Sequence, residues 1–258
     1  MMMIRILLQT RLTLLTLAIV MPLIIFLAIF LMHEASEQIE HETNEKIQFA
    51  HEALAVHTQT WLSLNVASLH QLLLHPDMVR MERSKQEPLL RNMILAHPHM
   101  YLASTVNLQG DNVARSDNEG MKAYGDRDWF QQARAGSPVV FQSLIGRTSA
   151  EPALVVSMPI RNAAGDIVGV GMFASTLVNL SDQVEALRLL ETGFAYVIDQ
   201  HNMAVAHPDL DTVQGLYDLS DTPPVVALRQ GHQGLYQFTD EHGRHGGLTL
   251  ARWRTVGA

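Results

Sequence analysis

The chain has 258 residues, a formal charge of −8 and 47% apolar residues, enough for one large domain or two small ones with a real core. Its mild acidity, with no Lys/Arg cluster beyond the loose group Arg80, Arg83 and Lys85, argues against nucleic acid as a partner, because a phosphate-binding surface needs net positive charge. The absence of cysteine excludes disulfide frameworks and thiolate metal sites.

Residues 12–32 form an uncharged apolar run, and roughly 20 such residues cross a bilayer core of about 30 Å as a helix. Pro22 falls mid-span, which transmembrane helices tolerate. Arg5 and Arg11 precede the run, and Glu34, Glu37 and Glu40 follow it. The positive-inside bias therefore places residues 1–11 in the cytoplasm, anchors 12–32 in the inner (plasma) membrane, and puts 33–258 outside. The competing reading is a cleaved signal peptide. Its apolar core is normally shorter and ends at a small-x-small site, whereas Ala35 and Ser36 are adjacent.

Residues 33–75 read as one long helix, with no Gly or Pro before Pro76. Ile47, Ala50, Leu54, His57, Trp61 and Leu64 recur at alternating spacings of three and four, a stripe suited to packing on another helix or on the rest of the domain. His57 in that stripe reads as a boundary residue rather than a ligand. From about residue 100 the period changes. Residues 101–106 and 112–115 flank an Asn-Leu-Gln-Gly-Asp turn and predict a hairpin. Residues 128–135 predict a short helix closed by Gly136, followed by strands over 138–145, 153–160 and 167–176. This order predicts an α+β fold: an antiparallel sheet with helices on one side. A second, shorter cycle follows: a helical pattern over 177–190, a hairpin of 194–199 and 203–207, a short helix over 222–229, and strands over 234–239 and 247–253. The two halves share one plan, read as a structural repeat. The expected organisation is one module over 76–180 and a second over 181–258. Since the chain stops just after a strand, the second module is expected to be incomplete at its C-terminus.

Catalytic and metal chemistry find little support. Of thirteen histidines, the closest pairs are His97 with His99 and His242 with His245, and neither sits in a metal-ligating motif. Asp209 and Asp211 lack the further ligands of a calcium loop and read as capping residues. No nucleophile elbow or nucleotide-binding glycine motif occurs, so the chain reads as a non-enzyme with neither cofactor nor metal.

Several segments carry a resemblance. Gly125-Asp126-Arg127-Asp128-Trp129-Phe130-Gln131-Gln132-Ala133 resembles the DR-x-(W/Y)-F-x-x-A signature of double Cache domains. Leu144-Ile145-Gly146-Arg147-Thr148-Ser149, Pro152 and Met158-Pro159-Ile160 are similar to the pattern that follows it in that family, and Gly165 with Val168-Gly169-Val170 to its hairpin. Gly193-Phe194-Ala195-Tyr196-Val197-Ile198-Asp199 with Ala206-His207-Pro208 resembles the signature of the membrane-proximal module. The resemblance covers about residues 33–258. It implies the extracytoplasmic sensing region of a bacterial signal-transduction receptor, with two PAS-like modules on a long helix and small molecules bound in the distal one. The output implied is a histidine kinase, a diguanylate cyclase or a chemotaxis transducer, absent from this chain. The alternative is a membrane-tethered binding or scaffold module with no output. The helical stripe is compatible with a homodimer.

Within that frame Arg127 is the leading ligand contact, because a guanidinium fork matches a carboxylate; the alternative is surface pairing with Asp126 or Asp128. Trp129 and Phe130 point about 100° apart on a helix, so one is expected to line the pocket and the other to pack in the core, with core packing of both as the alternative. Tyr101 and Tyr124 are candidate hydroxyl donors. On the strands, Val155 and Ser157 share one face, and Gly169, Gly171, Phe173 and Ser175 share another. Ser157 and Ser175 join the binding candidates. Gly169 and Gly171 leave room either for a ligand or for a closely packed helix. Double Cache domains that bind amino acids resemble one another in acidic residues facing the α-ammonium. Here residues 140–146 hold no acid, and the third strand ends Ala174-Ser175-Thr176. A buried ammonium without a counter-charge is costly, so the expectation is a ligand without an α-amino group, such as a small organic acid, or else an unliganded distal module.

Overall fold

The computed structural model describes residues 2–178, 181–182, 196–232, 234–239 and 245–250. The chain divides into two compact units, Met1–Gln48 and Phe49–Ala258, and helix α1 (Met2–Leu73) contributes to both. In the first unit, Leu17–Ser36 is apolar enough to cross a membrane, with mean hydropathy 2.3 and none of it buried within the protein. Pro22 does not interrupt the helix.

In the second unit α1 ends where Leu74 N–H bonds His70 O, and Pro76 opens the short α2 (Pro76–Val79). Helix α3 (Arg83–Ala96) follows, in a stretch for which the sequence pattern suggested no element. The buried stripe of α1 runs through Leu54, Trp61, Asn65, Leu69 and Leu73. Two members of the expected stripe depart from it: His57 is exposed and Leu64 is 62% exposed, because a spacing of three at those points rotates them off the packed face. The side chains of Ile47 and Ala50 lie outside the described residues.

The main sheet has five strands in the order β2-β1-β5-β4-β3, all antiparallel: β1 (Met100–Val106), β2 (Asn112–Arg115), β3 (Val140–Ile145), β4 (Pro152–Arg161) and β5 (Ile167–Thr176). One face carries Ala103, Leu154, Val156, Met158, Ile160 and Phe173 and packs on α1, α2 and α3 through Leu69, Leu73, Met78, Leu90 and Met93. Each such side chain stabilises the fold by about 1.5–3 kcal/mol when fully buried. Gln86, fully buried on α3, donates to Met78 O at 2.8 Å and accepts from Thr105 Oγ1 at 2.5 Å, tying α3 to β1. The glycines of β5 are explained by helix packing. A Cβ on Gly171 would lie 2.3 Å from Leu73 Cδ2, and one on Gly169 would lie 2.6 Å from Met81 Cε.

The opposite face carries Leu102, Val106, Leu144, Val155, Val170, Met172 and Ala174 and packs on α4 (Asp128–Arg134) through Trp129, Phe130 and Ala133. Helices thus cover both faces, correcting the one-sided layer expected from element order. A single seven-residue helix suffices because it carries two large aromatics.

The C-terminal elements form smaller units. β6 (Val197–Ile198) pairs with β7 (Ala204–Ala206) around a turn in which Asp199 Oδ1 accepts from His201 N and Met203 N at 2.8 and 3.0 Å, with Asn202 at φ 63°. Asp209 caps α5 (Leu210–Gln214) through Asp211 N at 3.1 Å. α6 (Pro223–Arg229) starts on proline after Thr222. β8 (Gly234–Thr239) pairs with β9 (His245–Leu250). Most of the helix expected over 177–190, and Trp253 of the last expected strand, lie outside the described residues.

Candidate functional site

The α4 face of the sheet is where charge and aromatic groups converge. On β2 a bulge omits Val113 from the pairing: Ser104 faces Arg115, Thr105 faces Ala114, and Val106 faces Asn112. That extra residue puts Asn112 and Arg115, three apart, on the same side of the sheet. Arg115 is 1% exposed. Its five N–H groups are all engaged: Nε with Asp117 Oδ1 at 2.9 Å, Nη2 with Asp117 Oδ2 at 2.6 Å and Thr148 Oγ1 at 2.9 Å, Nη1 with Tyr124 Oη at 3.1 Å and Asn112 Oδ1 at 3.3 Å. Burial alone would push the Asp117 carboxyl up. The Arg115 hydrogen bonds and the Glu119 N–H outweigh it and hold the group below the usual carboxylate range.

A second guanidinium lies on the other side of Tyr124. Arg147 donates to Asp126 Oδ2 at 2.7 Å and to Ala123 O, and its Cζ stands 5.7 Å from the centre of the Tyr124 ring. The bond from Arg147 is the main reason the Asp126 carboxyl titrates below its ordinary value. The segment 145–151 that carries Arg147 is a tight loop. Gly146 N bonds Glu151 O at 2.8 Å, Ala150 N bonds Gly146 O at 2.9 Å, and Ala150 sits at φ 56°. Ser149 donates to Tyr101 Oη at 3.4 Å. A Cβ on Gly146 would lie 2.3 Å from Ser149 Oγ and 2.8 Å from Tyr101 Oη, so only glycine lets the loop close on this tyrosine. Burial, opposed in part by the Ser149 bond, raises the Tyr101 phenol above its usual range.

Arg127 is the third arginine of this region, tied to Tyr124 by its backbone. It caps α4, its N–H bonds Tyr124 O at 3.0 Å, and its side chain is half-buried. Among the described residues its fork makes one hydrogen bond, Nη2 to Ile145 O, at 3.5 Å. It stands outside ion-pair distance of Asp126 and Asp128; Arg147 bonds Asp126 directly, and the Arg127 charge also helps hold that carboxyl below its ordinary value.

Trp129 and Phe130 are both 1% exposed, so the division into one pocket and one core residue gives way to burial of both. The Trp129 ring lies 5.3 Å from Tyr124 and 6.1 Å from Phe130; the backbone N–H of Trp129 donates to Gln142 Oε1 at 3.0 Å, and Ser157 donates to its backbone carbonyl at 3.0 Å. The structure therefore brings Arg127, Trp129, Phe130, Tyr101, Tyr124 and Ser157 to one face. Ser175 is not among them: it faces α1 and donates to His99 O at 2.5 Å. An open groove lined by Phe49, Glu52, Ala53, Val56, His57 and Thr60 belongs to α1 alone, a different element from the arginine cluster. Sequence reasoning missed Arg115, Asp117, Arg147, Thr148 and Ser149 as site residues. The bulge at Val113 hides the pairing of Asn112 with Arg115 from a strict two-residue alternation.

A family model described as Cache domain matches residues 31–257. No curated protein sequence matches the chain. Among solved structures, the ligand-binding domain of the Pseudomonas aeruginosa PAO1 amino acid chemoreceptor PctC, in complex with GABA, is similar at 19% identity and TM-score 0.59, over 76% of this chain and 88% of that one. The ligand-binding domain of the Pseudomonas fluorescens chemoreceptor CtaA, in complex with L-isoleucine, is similar at 17% identity and TM-score 0.64, over 81% and 85%. The extracellular domain of the putative histidine kinase mmHK1S-Z2 is similar at 14% identity and TM-score 0.59, over 83% and 90%. With the sheet, the long helix and the family match in agreement, the chain belongs to the Cache-domain family and carries the double Cache fold of sensor ligand-binding domains.

Proposed function

We propose that the chain is the extracytoplasmic sensing region of a membrane-bound bacterial receptor, and that its ligand is a small organic acid whose carboxylate docks on Arg127. One observation carries this reading. Of Arg115, Arg127 and Arg147, two have their forks engaged by carboxylates, while among the described residues the fork of Arg127 makes a single long hydrogen bond, to Ile145 O. Tyr101, Tyr124 and the loop 145–151 are the remaining contacts proposed around it. PctC was solved with GABA and CtaA with L-isoleucine, and both ligands carry a carboxylate. Asp117 and Asp126, two of the acids nearest this cluster, are already paired with Arg115 and Arg147, which disfavours an α-ammonium.

The apolar helix Leu17–Ser36 supports anchorage in the inner membrane, and Arg5 and Arg11 before it support a cytoplasmic N-terminus. The exposed side of α1 carries Phe49, Ala53, Val56, Thr60 and Leu64 at helical spacing, which supports a homodimer along this helix. A ligand that binds one packing of the distal module more tightly would then shift α1 against its partner. The domain limits 76–180 and 181–258 belong to this proposal.

The test is isothermal titration of the membrane-embedded chain against amino acids and small carboxylates. A carboxylate lacking an α-amino group should bind, and Arg127→Gln should weaken it about tenfold or more, as expected for a lost charge-assisted hydrogen bond. Binding of amino acids alone, or binding untouched in Arg127→Gln, defeats the proposal.

A further inference from the structure

The groove on α1 has a regular floor and two unlike walls. Phe49, Ala53, Val56, Thr60, Ser63 and Ala67 recur at alternating spacings of four and three, and all six are exposed. Phe49 is 75% and Val56 65% exposed, large apolar side chains that a lone helix face does not need. This spacing is the seam of a coiled coil, with Ala53, Thr60 and Ala67 at one kind of seam position and Phe49, Val56 and Ser63 at the other. The seam points away from Leu54, Trp61 and Leu69, which pack on the sheet, so the two faces of α1 serve different contacts. Glu52, next to Ala53, forms one wall of the groove, and His57, next to Val56, forms the other. The remaining titratable residues of this stretch are His51, whose side chain lies outside the described residues, and His70, near the end of α1; Glu45 and Lys46 precede it in sequence.

We infer that this face binds a second copy of the chain, parallel and in register, with Glu52 of each copy set against the partner's His57. In a parallel pair of helices, a residue just before one seam position meets the flank residue of the partner five residues further on, which is the offset from Glu52 to His57. A two-fold axis along the helices makes the contact twice. An antiparallel pair brings like walls together, acid against acid. The anchor Leu17–Ser36 belongs to the same helix, so two copies inserted in one membrane run α1 in the same direction. The inference rests on the homodimer along α1 proposed above and adds its direction, its register and the pair that selects them.

The chain has no cysteine, so a single introduced thiol reports alone. The full chain is placed in phosphatidylcholine vesicles. Val56→Cys should form a disulfide-linked dimer on oxidation, well above the level of Ser84→Cys, an exposed control on α3. Equal yields defeat the α1 dimer, and this inference with it. Glu52→Cys and His57→Cys chains should each link poorly alone through a short bis-maleimide and well when mixed; no gain on mixing, with Val56→Cys still linking, overturns the register alone. Glu52→Lys should weaken the dimer about fivefold, read by energy transfer between labelled copies on dilution into lipid, and adding His57→Glu should restore it. Weakening without recovery, or no weakening, overturns the pairing of Glu52 with the partner's His57.

Discussion

A guanidinium removed from water needs a partner for each donor, and Arg115 has all five. Truncating it leaves the Asp117 carboxylate without its main counter-charge. Arg115→Ala should therefore destabilise the chain by on the order of 3 kcal/mol in urea unfolding. The double variant Arg115→Ala with Asp117→Ala should lose clearly less than the sum of the single changes, since it removes both charges of one pair. Additive losses would show that the two groups act independently. At this scale the sequence was only half legible. Arg127 and Trp129 stood out by motif and Tyr124 only as a candidate hydroxyl, but Arg115 looked like the last residue of a short strand. Its burial depends on a backbone bulge, on a tyrosine nine residues away and on a threonine 33 residues away. Ser175 was misplaced for a different reason: two-residue alternation assigns strand faces but does not say which face meets the long helix.

Among the elements, the contact of α1 with the sheet carries the most consequence, because any signal from the distal module crosses it. Gly171 lets Leu73 reach the strand. Gly171→Val should cost roughly 1–3 kcal/mol by overpacking, whereas Gly165→Ala, strained only by its φ of 90° and with nothing near its Cβ, should leave the α1 contact intact. The same junction holds a titratable link. His99 Nε2 lies 2.8 Å from Asn65 Oδ1, and its ring sits 5.2 Å from Trp61. Burial, aided by nearby His97, holds the His99 imidazole below its usual range. The unfolded chain then takes up the proton first as pH falls. Stability from this residue is complete above the unfolded value of ~6.5 and is lost as pH drops below it, toward the folded value. The urea midpoint should fall between pH 7 and pH 5, and His99→Gln should reduce that fall; an identical pH dependence in the variant removes His99 from the account. Strands β1 to β5 were legible because each alternates between turns rich in Gly and Asn. Helix α3 was not, since Pro88 lies inside it and its apolar residues are sparse, so tertiary burial of Gln86, Leu90 and Met93 decides its structure.

For the whole molecule, the family and the layered sheet were readable in the order of several weak motifs after one apolar helix. What the motifs left open was whether a cation on the α4 face is free to meet a ligand, since that depends on how three arginines and two aspartates pair in space. The most direct measurement is thermal unfolding of the membrane-embedded chain with saturating propionate, in the wild type and in Arg127→Gln. Ligand that binds only the folded form raises Tm by an amount that grows with the logarithm of its excess over Kd. A carboxylate anchored on Arg127 should raise the Tm of the wild type and raise that of Arg127→Gln clearly less. An equal rise in both proteins, or a rise with amino acids and none with propionate, would contradict the assignment.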